Sequence, residues 1–249
     1  MELGAGSGKF SFFLCNCLKE MQETLAFPYQ NIKVVMTDFT QKNVDFWHAH
    51  AAFQPFFEAG VLDTAVYNAV SDTSITLTKS GTVLKPRSLR NPLVIVANYL
   101  FDTLCHDIFQ VEGGVLKEGK VQTGSRPPSH SEPDPLHPDI ISRLDNRYEY
   151  VPINTTYYSE GGGDEAAGGG DEDGEGREGG PLEGILQWYQ DYFAHSAQDA
   201  SLLVPIGALR SLRRLTSLSS GYALILSGDK GNNHPSQFLG LSPPHIAVH

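Results

Sequence analysis

Met1-Glu-Leu-Gly-Ala-Gly-Ser-Gly-Lys-Phe10 opens the chain, and its glycines at every second position, Gly4, Gly6 and Gly8, decide how the rest is read. Behind them Phe10, Phe13, Leu14, Cys17, Leu18, Met21 and Leu25 recur at helical spacing. That pattern predicts a helix over about Lys9 to Leu25 with one buried stripe, ended by Pro28. A glycine turn between a strand and a helix sets backbone N–H groups and a helix N-terminus beside a ligand. It also lies at the edge where open α/β sheets bind cofactors.

Working outward, Ile32 to Met36 is a β-branched run followed by Thr37-Asp38 and a predicted helix from about Gln41 to His50. Leu62 to Val70 and Ile75 to Leu77 read as strands, and Leu93 to Ala97 as a central strand buried on both faces. Strand, glycine turn, helix, strand, helix, strand is the rhythm of a mostly parallel sheet with crossover helices. From Asp107 the pattern changes. Ile108 to Val111 and Val115 to Val121, joined through Glu112-Gly113-Gly114, predict a hairpin. Ser125 to Pro138 reads as a loop and Tyr148 to Tyr158 as an extended segment. Helical periodicity returns over Leu182 to Ala194 and Ile206 to Leu218, and Tyr222 to Leu226 reads as a last buried strand. One domain over 1–249 is expected, with a hairpin and loop insertion at about 107–158 and a disordered acidic, glycine-rich insert at 159–181.

Three ligand classes compete for the glycine turn. A nucleoside triphosphate asks for G-x-x-x-x-G-K-[ST]; five positions before Gly8 stands Leu3, and Phe10 follows Lys9. A dinucleotide asks for G-x-G-x-x-G; from Gly4 its last position is Lys9, and from Gly6 it is Ser11. What remains is E-x-G-x-G-x-G, with Glu2, Gly4, Gly6 and Gly8. This resembles motif I of the class I S-adenosylmethionine-dependent methyltransferases. The chemistry agrees, because that cofactor has no phosphate and carries a sulfonium, an ammonium and a ribose diol, which favour carboxylates. Glycines let the backbone approach it with no Cβ in the way.

Asp38, ending the second strand, is placed to accept ribose hydroxyls; the alternative is a charge at the start of the next helix. The resemblance puts the adenine beside the third strand, where the family commonly has an acidic residue before Ala. Here Asn68 holds that position, and Asp63 is its rival. Asn98, Tyr99 and Asp102 follow the Leu93 to Ala97 strand and look like the N-E-x-x-D-A-x-P segment of the MidA-type methyltransferases, known for mitochondrial complex I assembly. Tyr99 replaces the Glu of that segment, which argues against arginine as the acceptor, and Cys105 stands near its Pro. Val204-Pro-Ile-Gly-Ala-Leu-Arg and Leu226-Ser-Gly-Asp-Lys-Gly extend the likeness, which runs from Glu2 to about Val248 outside the acidic tract.

The resemblance implies a Rossmann-like α/β methyltransferase fold and S-adenosyl-L-methionine as cofactor. It places Glu2, Gly4, Gly6, Gly8, Asp38 and Asn68 or Asp63 on the cofactor, and Asn98, Tyr99 and Asp102 on the acceptor side. The acceptor is an unknown protein or small molecule. The other reading is a catalytically inactive binding or assembly module with the same fold. Motif I usually closes a full first strand, and this fold usually ends in an antiparallel hairpin. The chain is therefore expected to have an incomplete first strand, to lack that hairpin and to be truncated at both ends.

Composition limits the alternatives. Of a net charge of −11, the stretch 160–184 carries −8 and leaves −3 on the other 224 residues, so the acidity belongs to one solvated tract. An acidic balance speaks against general nucleic-acid or anionic-membrane binding. The longest apolar run is about ten residues against the ~20 of a membrane span. Three cysteines make no disulfide framework, which points to an intracellular setting, cytoplasmic by default. A truncated N-terminus leaves room for a mitochondrial address. No metal is expected, because His48 and His50 point to different faces of their helix. Cys17 is expected in the core and Cys15 partly exposed.

Overall fold

The computed structural model describes residues 1–24, 28–126, 139–158 and 181–243. They divide into two compact units, Met1–Cys105 with Pro205–Lys230, and His106–Val204 with Gly231–His249. The acidic tract and most of the loop expected over 125–138 lie outside the described residues.

The first unit begins with β1 (Glu2–Leu3), α1 (Lys9–Glu20), β2 (Val34–Asp38), α2 (Gln41–Ala49), α3 (Gln54–Glu58) and β3 (Leu62–Val66). It continues with the short hairpin β4 (Ile75–Thr76) and β5 (Val83–Leu84), then β6 (Leu93–Asn98). The second unit holds β7 (Asp107–Glu112), β8 (Val115–Ser125), α4 (Asp139–Ser142), β9 (Leu144–Pro152), α5 (Pro181–Phe193) and β10 (Ala200–Val204). The chain then returns to the first unit with α6 (Ile206–Ser217) and β11 (Ala223–Gly228).

Five strands of the first unit form a sheet in the order β11-β6-β1-β2-β3, every neighbouring pair parallel. This is an α/β sheet flanked by helices, compatible with a Rossmann-like fold. The two residues of β1 sit at its middle, with Glu2 opposite Met36 on one side and Val96 on the other. β2 is buried throughout, as its sequence Val-Val-Met-Thr-Asp suggests for a strand covered on both faces. On one face Leu3, Val35, Ala65 and Ile95 pack with Leu215 and Leu218 at the end of α6. On the other, Met36 and Leu62 pack with Cys15, Val44, Trp47, Phe53 and Phe56. Trp47 is completely buried, so its removal should cost about 3–5 kcal/mol.

The hairpin expected from Asp107 forms as β7 and β8, inside a four-stranded antiparallel sheet of order β10-β7-β8-β9. Tyr157 and Tyr158 meet the ring of Phe109 edge-on, with centroids 5.8 and 6.0 Å apart.

Several burial expectations are corrected. α1 ends at Glu20, and its buried residues are Ser11 and Cys15; Phe10, Phe13 and Cys17 are exposed, as is Met21 just beyond it. Cys15 and Cys17 thus exchange the positions expected for them. Of the stripe read from spacing, Leu14 and Leu18 pack against the core as expected, whereas Phe10, Phe13, Cys17 and Met21 face away from it. β6 is buried on one face only, through Leu93, Ile95 and Ala97, and it lies one strand from the middle. β11 borders the sheet among the described residues, and its apolar side chains are largely exposed rather than buried. Apolar composition records what a strand prefers, and cover depends on neighbouring elements.

Candidate functional site

In the sheet order the chain runs outward from β1 to β2 and β3, then crosses back to β6 on the other side of β1. The crevice of such a sheet opens where that order reverses, beyond the carboxyl ends of β1 and β6. The glycine loop sits there. Gly4, Gly6 and Gly8 all adopt left-handed backbone, with φ of 61°, 54° and 74°. Any other residue would be strained at all three.

Their surroundings separate their roles. A Cβ on Gly8 would run into Met36 and come within 2.8 Å of Phe53 and 3.1 Å of Trp47, so Gly8 is needed to pack α1 on the sheet. A Cβ on Gly4 would lie 2.9 Å from Leu100, which places the loop against the segment following β6. Beside Gly6 a Cβ would meet nothing within 4 Å. Open space next to a backbone that only glycine adopts easily is what close approach by a ligand requires.

The loop is clamped from two sides. The Gly6 amide donates to Asp38 Oδ2 over 3.1 Å, and Trp47 Nε1 donates to the Gly6 carbonyl over 2.9 Å. Asp38 Oδ1 accepts from the amide and hydroxyl of Thr40, at 3.1 and 3.0 Å. One carboxylate therefore ties the loop to the start of α2 and is nearly buried in doing so. Glu2 accepts from the Ser11 hydroxyl of α1 over 2.5 Å. Burial raises its carboxyl above the ordinary range, and the Ser11 hydrogen bond opposes that rise.

Asn68 stands two residues past β3 and is exposed. Its side-chain Oδ1 accepts from the Val70 backbone N–H, and its own backbone N–H donates to Asp72 Oδ2. Asp63 lies elsewhere, in the first half of β3. Its buried carboxylate takes the amides of Thr64, Lys79 and Ser80 at 2.8, 2.9 and 3.1 Å, which anchors the turn after β4.

On the other side of the crevice Asn98 ends β6 opposite Gly228 of β11, with its Oδ1 2.9 Å from where a Gly228 Cβ would be. Tyr99 follows with φ 51°, a conformation rare for a bulky side chain, while its amide donates to the Gly228 carbonyl. Its ring is exposed, and Lys230 Nζ lies 5.9 Å from its centroid. Asp102 is exposed, and its amide donates to Asp229 Oδ2 over 3.1 Å. The structure thus brings Glu2, the three glycines, Asp38 and Asn68 to the ends of β1, β2 and β3, and Asn98, Tyr99 and Asp102 to the end of β6.

Sequence reasoning missed Trp47, Thr40, Asp229 and Lys230. The Ser-Gly-Asp-Lys stretch after an apolar run was the available signal for the last two. Nothing in the sequence marks Trp47, whose contact spans 41 residues. Among the described residues no cluster of three metal-ligating side chains occurs, and no helix is long and apolar enough to cross a membrane. The chain matches no model of a known protein family, no characterised protein and no solved structure.

Proposed function

We propose that this chain binds S-adenosyl-L-methionine at the carboxyl ends of β1, β2 and β3 and acts as a class I-type methyltransferase on an acceptor held beyond β6. The observation that carries the reading is the loop of three left-handed glycines at the reversal of the sheet order, open beside Gly6 and backed by the carboxylates of Glu2 and Asp38. Carboxylates in this position favour a ligand with cationic groups over one with phosphates. Asp38 Oδ1 is taken by Thr40, so Asp38 meets the ribose through the remaining lone pair of Oδ2. Asn68 offers its side-chain Nδ2 to the adenine edge, and Glu2 faces the methionyl end.

When bound, the cofactor supplies an electrophilic methyl on a sulfonium. The protein's part is to hold that methyl in line with the acceptor and to keep water away. Asn98, Tyr99 and Asp102 border the space the acceptor would enter. The strained backbone of Tyr99 is the kind of feature that collects at sites where geometry serves function.

A second reading, a non-catalytic binding or assembly module, draws on the structural duties that Asp38 already performs. Equilibrium dialysis with methyl-labelled S-adenosylmethionine tests the proposal. Retention by the wild type and loss of retention in Gly6→Ala, with an unchanged circular-dichroism spectrum, is the expected result. No retention by the wild type would overturn it. Binding with no transfer to any acceptor offered would favour the second reading.

A further inference from the structure

The sheet of the first unit is covered unevenly. Side chains paired across a parallel sheet point to the same face, so Glu2, Met36, Val96 and Leu226 share one face, joined by Val94 and Leu224. On that face α1, α2 and α3 pack over β2 and β3. Over β6 and β11 no element among the described residues covers it, and Val94, Leu224 and Leu226 are exposed. α1 has a bare stripe of its own in Phe10, Phe13, Cys17 and Met21, spaced three, four and four residues apart. Its opposite flank carries Phe12, which packs edge-on against Phe53 and Phe56 at 6.0 and 6.2 Å. The stripe therefore lies on the flank of α1 turned away from Phe53 and Phe56.

The result is a ridge beside a trough. Two strands are about 10 Å wide, and a helix has about the same diameter. Such a surface is self-complementary under a two-fold axis running along α1, which lays the ridge of each copy in the trough of the other. We infer that this face is the interface of a symmetric homodimer, in which α1 of each copy packs on β6 and β11 of its partner. A lone helix from another protein would fill the trough and leave the top of α1 bare; a second copy covers both.

The area fits. The six apolar side chains Phe10, Phe13, Met21, Val94, Leu224 and Leu226 are 44–54% exposed. Each leaves on the order of 100 Å², so together they form a patch of roughly 600 Å², at the upper end for a monomer. Two copies bury roughly 1,200 Å², which reaches the size of a specific, stable interface. The axis also brings the exposed Cys17 of each copy toward its counterpart on the facing flank.

The inference is independent of what the glycine loop binds. Sedimentation equilibrium of the full chain, with reductant, over low to high micromolar concentration tests it. The expected mass is twice 27.2 kDa, falling to 27.2 kDa in Leu226→Glu and in Phe13→Glu. Leu203→Glu, an equally exposed apolar position outside the patch, should leave the dimer intact. Without reductant, copper-phenanthroline should link two copies through Cys17, with two thiols losing two electrons to the oxidant and two protons to the solvent. That link should vanish in Cys17→Ser and slow at least tenfold in Leu226→Glu. Wild type monomeric at every concentration would overturn the inference, as would a dimer that survives both patch substitutions or cross-linking unchanged in Leu226→Glu. Circular dichroism of each variant separates loss of the interface from loss of the fold.

Discussion

The Gly6 amide donates to the Asp38 carboxylate across 32 residues of sequence, and this bond joins the glycine loop of β1 to the end of β2. It makes Asp38 a structural residue as well as a candidate ligand contact. The same oxygen that steadies the loop has capacity for one more donor. Recognition of a ligand and rigidity of the loop are therefore coupled through one side chain.

Asp38→Ala leaves the amides of Gly6 and Thr40 without their acceptor. We expect a stability loss of about 1–3 kcal/mol, above the 0.3–1 kcal/mol of a simple charge at a helix start. Asp38→Asn keeps an acceptor for Thr40 and should fall between wild type and alanine. Thermal melts of the three proteins side by side check the ranking. Equal melting temperatures would show that the clamp contributes nothing.

Gly6 and Gly8 should respond differently to the same substitution. Gly6→Ala adds only left-handed strain, about 1–2 kcal/mol, because nothing lies near the added methyl. Gly8→Ala adds the same strain and a collision with Met36 and Phe53 in the core, so its loss should be larger by about 1–3 kcal/mol. Urea unfolding of both variants distinguishes them. If Gly6→Ala proves the more damaging to stability, the open side assigned to Gly6 is wrong.

Glu2 gives a pH signature. Burial holds its carboxyl above the ordinary value of 4.5, so the folded state favours the protonated form. Its stabilising contribution is full below the unfolded pKa and is lost as pH rises through the higher folded one. Glu2→Gln keeps an acceptor for Ser11 and removes the titration. The melting temperature of wild type minus that of Glu2→Gln should therefore fall as pH rises from below 4.5 through that window. A difference that stays flat would show that Glu2 is solvated in the folded protein.

The two neighbouring thiols should label in opposite order to what their sequence context suggests. Cys15 is fully buried, and burial pushes its thiol up to about 12, with the charge of Glu2 adding to the effect. Cys17 is exposed. Brief treatment of the folded protein with iodoacetamide, followed by peptide mapping, should find Cys17 modified and Cys15 protected until denaturant is added. Early modification of Cys15 would place α1 in a different rotation about its axis.

These particulars show what was legible in the sequence. The glycine spacing, the β-branched run at Val34-Val35 and the apolar run from Leu93 place the strands of a parallel sheet, and the helices from Lys9, Gln41 and Ile206 follow from periodicity. Those signals are local. Whether Phe13 or Cys15 faces the core depends on which flank of α1 meets β2 and α3, and spacing alone serves either flank. The exposure of Leu224 and Leu226 depends on the absence of a covering element over β11 among the described residues. β10 went unread because Ala-Ser-Leu-Leu-Val matches a helix fragment as well as a strand, and pairing with β7 across 89 or more residues decides the matter. At the site, Asp38 and the glycines stand out by type and spacing. Trp47 and Asp229 do not, since their partners come from elsewhere in the chain.

Isothermal titration calorimetry of the purified chain with S-adenosylmethionine, and in parallel with NAD and ATP, bears most directly on the reading of the glycine loop. The account predicts saturable one-to-one binding of S-adenosylmethionine and no heat of binding from NAD or ATP. Saturable binding of NAD or ATP with none of S-adenosylmethionine would contradict it.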